Sequence, residues 1–134
     1  MKKLITSVFA LFFALSLVAC DGNVNQVKIT DYSSEIYSDA EIENAIDVAI
    51  DYFNQNFEGC TLTEITYLGD DQLDDWQEFA ERNNADDVIV LISTFEVDAS
   101  GGDGSLNPNS TYTDWNWVLV RTDGGQWKHV DHGY

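Results

Sequence analysis

Residues 38–58 constrain the fold of this chain more than any other stretch. YSDAEI opens with a capping box, in which the Ser38 hydroxyl accepts from the Glu41 backbone N–H and the Glu41 carboxylate reaches back to the N–H of Ser38. Tyr37 and Ile42 stand at the staple positions around it. Ile42, Ala45, Ile46, Ala49, Ile50, Phe53 and Phe57 then recur at spacings of three and four, which makes one apolar stripe on a helix. Asp39 and Glu41 fall in the first turn, where the helix dipole favours negative charge, and Asp47 and Asp51 fall on the wet side. Gly59 offers a stop just past Phe57. A helix over 38–58 with one apolar side has to lie on another apolar surface.

The rest of the chain supplies that surface. TLTEITYL (61–68) is β-rich and partly alternating, and DDVIVLISTFEV (86–97) is apolar on both faces before it begins to alternate. TDWNWVLVRT (113–122) and GQWKHVDH (125–132) are joined through Asp123-Gly124-Gly125, a strong hairpin signal. Between the first two strands, Gly69-Asp70-Asp71 starts a second helix with Leu73, Trp76, Phe79 and Ala80 on one face. It carries a Glu78–Arg82 pair at i,i+4 and ends in a left-handed turn at Asn83-Asn84. The expected fold class is α+β. A long N-terminal helix and a second shorter one pack on a curved, mainly antiparallel four-stranded sheet, cone-like in shape. A ferredoxin-like layout is the competitor; it wants a βαββαβ order and a leading strand from residues 24–31.

The N-terminus bears on location. MKKLITSVFALFFALSLVAC has a basic start and an apolar run from Leu4 to Leu15, a secretory signal too short to span a membrane. Its end, Leu17-Val18-Ala19-Cys20, resembles a lipobox, the cleavage pattern of bacterial lipoproteins. That resemblance implies that Cys20 becomes the first mature residue and carries a diacylglycerol thioether. The expected division is a signal peptide over 1–19, a lipid-anchored tether over 20–37 and a single α+β domain over 38–134. Of the 134 residues, 115 remain after residue 19, enough for one domain.

Charge narrows the partners. Lys2 and Lys3 leave with the signal, so 24 Asp/Glu face 4 of the 6 Lys/Arg, a formal charge of −20. Such a surface repels nucleic acid and anionic head groups, which leaves the lipid anchor as the expected contact with a membrane. With 44% hydrophobic and 13% aromatic residues, the acidity is that of a folded domain and not of a disordered one. Once Cys20 is lipidated, Cys60 has no partner for an intrachain disulfide. No basic residue near it in sequence lowers its pKa, so a buried structural thiol is expected.

Three regions offer binding chemistry. The first is the loop SGGDGSLNPNSTY (100–112). Around it Asp98, Ser100, Asp103, Ser105, Asn107 and Asn109 present many oxygens, which raises calcium as a possible ion. The spacing fits no EF-hand register, and a single GGDGSLN is not a tandem β-roll. Asx-type turns with Pro108 fixing one bend account for the same residues as a hairpin connection, although loops this long are uncommon unless they bind or gate something. The second region is the last strand, where His129 and Asp131 share one face with Trp127, while His132 points to the other; a third zinc ligand is not visible nearby. The third is aromatic: Trp115 and Trp117 share a strand face and Tyr112 precedes them, so those not consumed by the core line a pocket for a small organic ligand. The ligand-binding residues expected from the sequence are thus Asp98, Asp103, Asn107, Tyr112, Trp115, Trp117, His129 and Asp131, with Cys20 as the lipidation site. No catalytic constellation and no metal-ligand set is evident. The acid pairs Asp70-Asp71 and Asp74-Asp75 read as helix-start capping and a solvated face.

STFEVDASGGDGSLNPNSTYTDWNWVLV followed by GQWKHVDHGY resembles the C-terminal half of small secreted lipoproteins of Gram-positive bacteria, a likeness that covers roughly residues 35–134. The element order resembles the cystatin-like folds of the nuclear transport factor 2-like group, without that group's longer helical start. These resemblances imply export and a compact α+β domain, and they carry over no catalytic residue. The function expected is a lipid-anchored extracytoplasmic domain that binds a small molecule or another envelope protein. One alternative is a small cone-fold enzyme with Glu96 or Asp131 as general base and a tyrosine or histidine as donor. Another is a calcium-stabilised adhesion or envelope module.

Overall fold

The computed structural model describes residues 22–134, so the signal segment 1–19 and the lipidation site Cys20 lie outside the described residues. In chain order the elements are β1 (Lys28–Ile29), α1 (Asp39–Asn56), β2 (Cys60–Tyr67), a 3₁₀ helix (Asp70–Trp76), α2 (Gln77–Arg82), β3 (Asp87–Val97), β4 (Thr111–Arg121) and β5 (Lys128–Gly133). They form a mixed α+β fold whose five strands stand side by side in sequence order. β1 runs parallel to β2, and every later pairing is antiparallel. Among the described residues no helix is long and apolar enough to cross a membrane.

Two expectations need correction. The sheet has five strands and not four, and α1 is not the leading element, because β1 precedes it. The βαβ-helix-βββ order also departs from the ferredoxin-like alternative. In addition, within the segment read as a tether, Asn23 and residues 28–30 run along the edge of the sheet. Asn23 donates to the Cys60 carbonyl and accepts from the Leu62 N–H, both at 2.9 Å, and Thr30 N–H reaches the Ile65 carbonyl at 3.2 Å. Ser34 Oγ and the Glu35 N–H donate to the Asp70 carboxylate at 2.6 and 2.7 Å. The unpaired edge of β2 offers a row of backbone partners that any sequence can use, so a two-residue strand leaves no periodicity to read.

α1 forms for the reasons its sequence gives. The Ser38–Glu41 capping box is closed in both directions, at 3.2 and 2.8 Å, and Ile42, Ala45, Ile46, Ala49 and Phe53 are buried on one side. Burying each of the larger of these side chains is worth about 1.5–3 kcal/mol. They pack on the sheet face formed by Ile89, Leu91, Ser93, Phe95, Trp117 and Leu119; Phe53 meets Phe95 and Trp117 at ring separations of 5.6 and 6.3 Å. Val88, Val90, Val118 and Val120 point to the opposite face yet are also buried, beneath the 3₁₀ helix and α2. This double cover explains the continuous apolar run at the start of β3.

The second helix is only half α-helical. Gly69 provides no side-chain cap, and the Asp70 carboxylate is taken up by Ser34, Glu35 and the Tyr67 hydroxyl. The first seven residues of this helix, Asp70–Trp76, take 3₁₀ geometry. At the β4–β5 hairpin, Asp123 and Gly124 have φ of 54° and 65°, and Gly125 N–H closes on the Thr122 carbonyl at 3.0 Å, in keeping with a type I′ turn.

A candidate aromatic binding cleft

The β4–β5 pairing slips by one residue between Val118 and Leu119, so that Val118 faces Asp131 while Leu119 faces His129. This bulge reverses part of the expected pattern. His129 and His132 both end on the α1 face of the sheet, and Asp131 is turned to the other side, exposed, where it accepts from the His132 N–H at 2.8 Å. The expectation that His129 and Asp131 share a face is therefore wrong, because simple alternation does not hold across an extra residue.

The two imidazoles meet. His132 Nδ1 and His129 Nε2 are 3.1 Å apart, one ring donating its N–H to the bare nitrogen of the other. His129 stacks on Tyr52 with ring centres 4.0 Å apart, and His132 lies between Trp115 and Trp117 at 5.8 and 5.3 Å. Burial lowers the pKa of both, and it takes His129 down to about 4; the Asp131 carboxylate pulls the other way, and His132 adds to the lowering at His129. A histidine kept neutral by the fold contributes stability that is fully present above its unfolded pKa of about 6.5 and is lost as pH falls through the folded value. The melting temperature is thus expected to drop between pH 6.5 and pH 4. In a His129→Phe/His132→Phe variant, which retains the stacking, this part of the pH dependence should flatten. An unchanged slope by thermal melts at stepped pH would show that other groups carry it.

Beside this pair a cleft of about 300 Å³ opens between the C-terminal end of α1, the glycine-rich loop and β4. Tyr52, Phe57, Leu106 and Trp115 supply its apolar walls, and Asn56, Glu58, Asp103, Ser105 and His132 its polar groups. Gly102 also lines it, and its φ of +67°, in the left-handed region that favours glycine, lets the loop turn back towards α1. Trp115 meets Phe57, Phe95, Tyr112 and Tyr134 edge-on. Its Nε1–H is buried and is the one buried side-chain polar atom among the described residues that lacks a hydrogen-bond partner. Leaving such a donor unpaired costs about 1–3 kcal/mol.

The sequence-derived candidates distribute unevenly around this cleft. Asp103 and Trp115 line it, and His129 supports His132 from behind. Trp117 is fully buried, with its indole N–H donating to Ser93 Oγ at 2.8 Å, and belongs to the core. Tyr112 stacks on Phe95, and its hydroxyl accepts from the Asn107 N–H at 3.0 Å, so both residues brace the loop. Asp98 lines a separate depression of about 600 Å³ with Gly59, Thr61, Glu96, Ser110 and others, a surface without aromatic walls. Neither Glu96 nor Asp131, the two carboxylates considered as bases, lines the Trp115 cleft.

The loop itself is held by local turns. Asp98 accepts from the N–H and hydroxyl of Ser100 at 2.8 and 2.5 Å, and Asp103 from those of Ser105 at 3.0 and 2.5 Å. These bonds, led by the serine hydroxyls, hold both carboxyls below the usual carboxylate range. No group of three or more His, Cys, Asp or Glu side chains among the described residues is placed to hold a metal ion. Cys60 is buried, and desolvation, reinforced by Asp98 and Asp103, pushes its thiol up to about 11, in keeping with a structural cysteine.

Tyr52, Asn56, Phe57, Glu58, Leu106 and His132 were not anticipated as site residues. Tyr52 and Asn56 are four apart on the flank of the α1 stripe, a usable signal. His132 had none, because nothing in the local sequence marks the bulge that turns it inward. No family model, curated protein or solved structure matches the chain, so the reading of this cleft stands on its own geometry.

Proposed function

We propose that the chain is an extracytoplasmic domain, anchored through a lipidated Cys20, that binds a small flat ligand in the Trp115 cleft. The observation that carries this reading is the buried, unpartnered Nε1–H of Trp115 in the wall of an aromatic cleft of about 300 Å³. A ligand carrying a hydrogen-bond acceptor would relieve the orphaned donor once the indole shifts to turn its buried N–H into the cleft, and its flat body would stack on one aromatic wall and meet the other edge-on, since the Trp115 and Phe57 rings stand at 86°. Glu58 and Asp103 at the rim, on a chain of strongly negative charge, favour neutral or cationic ligands over anions. The finer description of the fold, a sheet bent into a cone as in cystatin-like domains, belongs to the same proposal. The register slips at Leu62/Glu64, Ser93/Phe95 and Val118/Leu119 support such a bend.

The test is a panel of flat aromatic fragments of one shape in three charge states, with nicotinate, nicotinamide and 1-methylnicotinamide as its first members. Binding measured by ligand-observed NMR should rank the cation first and the anion last, and Trp115→Phe should weaken it at least tenfold. Equal binding to wild type and Trp115→Phe, or no binding by any member of the panel, would remove the cleft as the functional site. The anchor is checked apart from it: Cys20→Ser should release the protein from the membrane fraction.

A further inference from the structure

We propose that a lipidated Cys20 holds this domain with its glycine-rich-loop end, and the Trp115 cleft with it, against the bilayer head groups. The inference rests on the lipidation reading of Cys20 and goes beyond it by assigning which end of the domain faces the lipid.

An anchored domain ordinarily owes its freedom to a tether, and here the described residues leave almost none. Gly22 is buried, and its N–H donates to the Asn54 carbonyl in the last turn of α1 at 2.8 Å. The contact is flush: a Cβ on Gly22 would stand 2.4 Å from the Phe53 carbonyl oxygen. Asn23 then bonds to β2 through both its N–H and its carbonyl. Cys20 lies two residues before Gly22, so its Cα is within roughly 7 Å of the point where the chain meets the folded body. The acyl chains would therefore start beside the C-terminal end of α1.

That end carries the cleft. Asn54 precedes Phe57 by three residues, less than one helical turn of about 5.4 Å, and Asn56, Phe57 and Glu58 line the cleft. The opposite end of the molecule is equally well placed. Trp127 Nε1 donates to the Glu41 carbonyl in the first turn of α1 at 2.9 Å, and Arg121 pairs with the Glu41 carboxylate, so the Asp123-Gly124 hairpin tip sits at the helix N-terminus. The 18 residues of α1 separate the two ends by about 27 Å.

The surface presented to the bilayer bears Glu58, Glu96, Asp98 and Asp103. It is not a lipid-binding surface in its own right, and only a covalent anchor would hold it there. Repulsion from anionic lipid reaches about one Debye length, roughly 8 Å at physiological ionic strength, close to the slack between Cys20 and the folded body. The loop end thus stands at the head-group surface without entering it.

The test uses the full-length lipidated protein in phosphatidylcholine vesicles that carry a head-group quencher. A fluorescent dye is placed on Asn107→Cys, in the loop, or on Asp123→Cys, at the far hairpin; the buried Cys60 stays unlabelled. The dye at position 107 is expected to be quenched several-fold more strongly than that at 123. A 20-residue Gly/Ser insertion between Asp21 and Gly22 should abolish the difference. Equal quenching at both positions in vesicle-bound protein overturns the orientation and leaves the anchor standing. Protein that fails to float with the vesicles overturns the anchor, and the orientation with it.

Discussion

Replacing Trp117 by alanine is expected to cost about 3–5 kcal/mol of folding stability, a large part of the roughly 5–15 kcal/mol that holds a domain of this size together. Trp117 is 0% exposed and is the largest of the fully buried side chains. Its ring meets Tyr52 and Phe53 of α1, Phe57 just past the end of α1, and His129 and His132 from β5, so it joins the helix to two strands at once. Truncation leaves a cavity lined by rings held by other contacts, which limits its collapse, and removes the donor to Ser93 Oγ. Trp115, two residues away on the same face, is the control. Trp115→Phe keeps most of the ring and deletes the unsatisfied N–H, so it should stay within about 1 kcal/mol of wild type. Chemical denaturation of the two variants decides the matter. A Trp117→Ala cost below 1.5 kcal/mol would mean that α1 is not packed on β4 as described.

The second large effect is expected at Arg121. Its Nη2 lies 2.5 Å from Glu41 Oε2 and its Nε 2.8 Å from Asp87 Oδ2, with the side chain only 11% exposed. The guanidinium also stands 4.4 Å over the Trp127 ring and 5.4 Å over Tyr37. One residue thus ties the first turn of α1 to β3 and β4 and roofs two aromatic rings. Arg121→Met keeps much of the packing but leaves the Glu41 and Asp87 carboxylates without their shared cation. Breaking a buried pair costs about 3–5 kcal/mol and a surface pair under about 1. With Glu41 33% and Asp87 36% exposed, the loss here should be about 2 kcal/mol.

The Glu41 carboxyl is held below its ordinary value, first by the Ser38 N–H of the capping box and then by Arg121. A lowered acid contributes stability above its unfolded pKa of about 4.3 and loses it as pH falls through the folded value. Wild type should therefore lose this contribution only below about pH 4, and Arg121→Met should narrow the difference between the two proteins there. If the difference in melting temperature between wild type and Arg121→Met is the same at pH 3 and pH 7, the ion pairs are not its source.

Much of this architecture is legible from local rules. The Ser38–Glu41 box, the spacing of Ile42 through Phe57, the alternation in 61–68 and the Asp123-Gly124-Gly125 turn each name an element through interactions only a few residues long, and each element is present. The misses share a cause. Lys28–Ile29 became a strand because β2 has a free edge, and the 3₁₀ helix Asp70–Trp76 starts at a carboxylate held by Ser34 and Glu35, 36 and 35 residues upstream. Neither partner lies within a window that periodicity can scan.

The site divides along the same line. Residue type marked Trp115, Trp117, Asp103 and His129 as chemically capable, but it could not sort the core tryptophan from the cleft tryptophan. That depended on where the end of α1 lands and on how far the glycine-rich loop folds back onto Phe57 and Glu58. One inserted residue in β5 brought His132 to His129 and sent Asp131 away, because a side chain's face is a parity count that a single bulge inverts. By itself the sequence determined the long helix, the β-rich segments, the last hairpin turn and the charge they carry, since those follow from neighbours along the chain. Only the tertiary structure decided which side chains meet, since contacts between distant segments depend on register, bulges and free edges that no short stretch records.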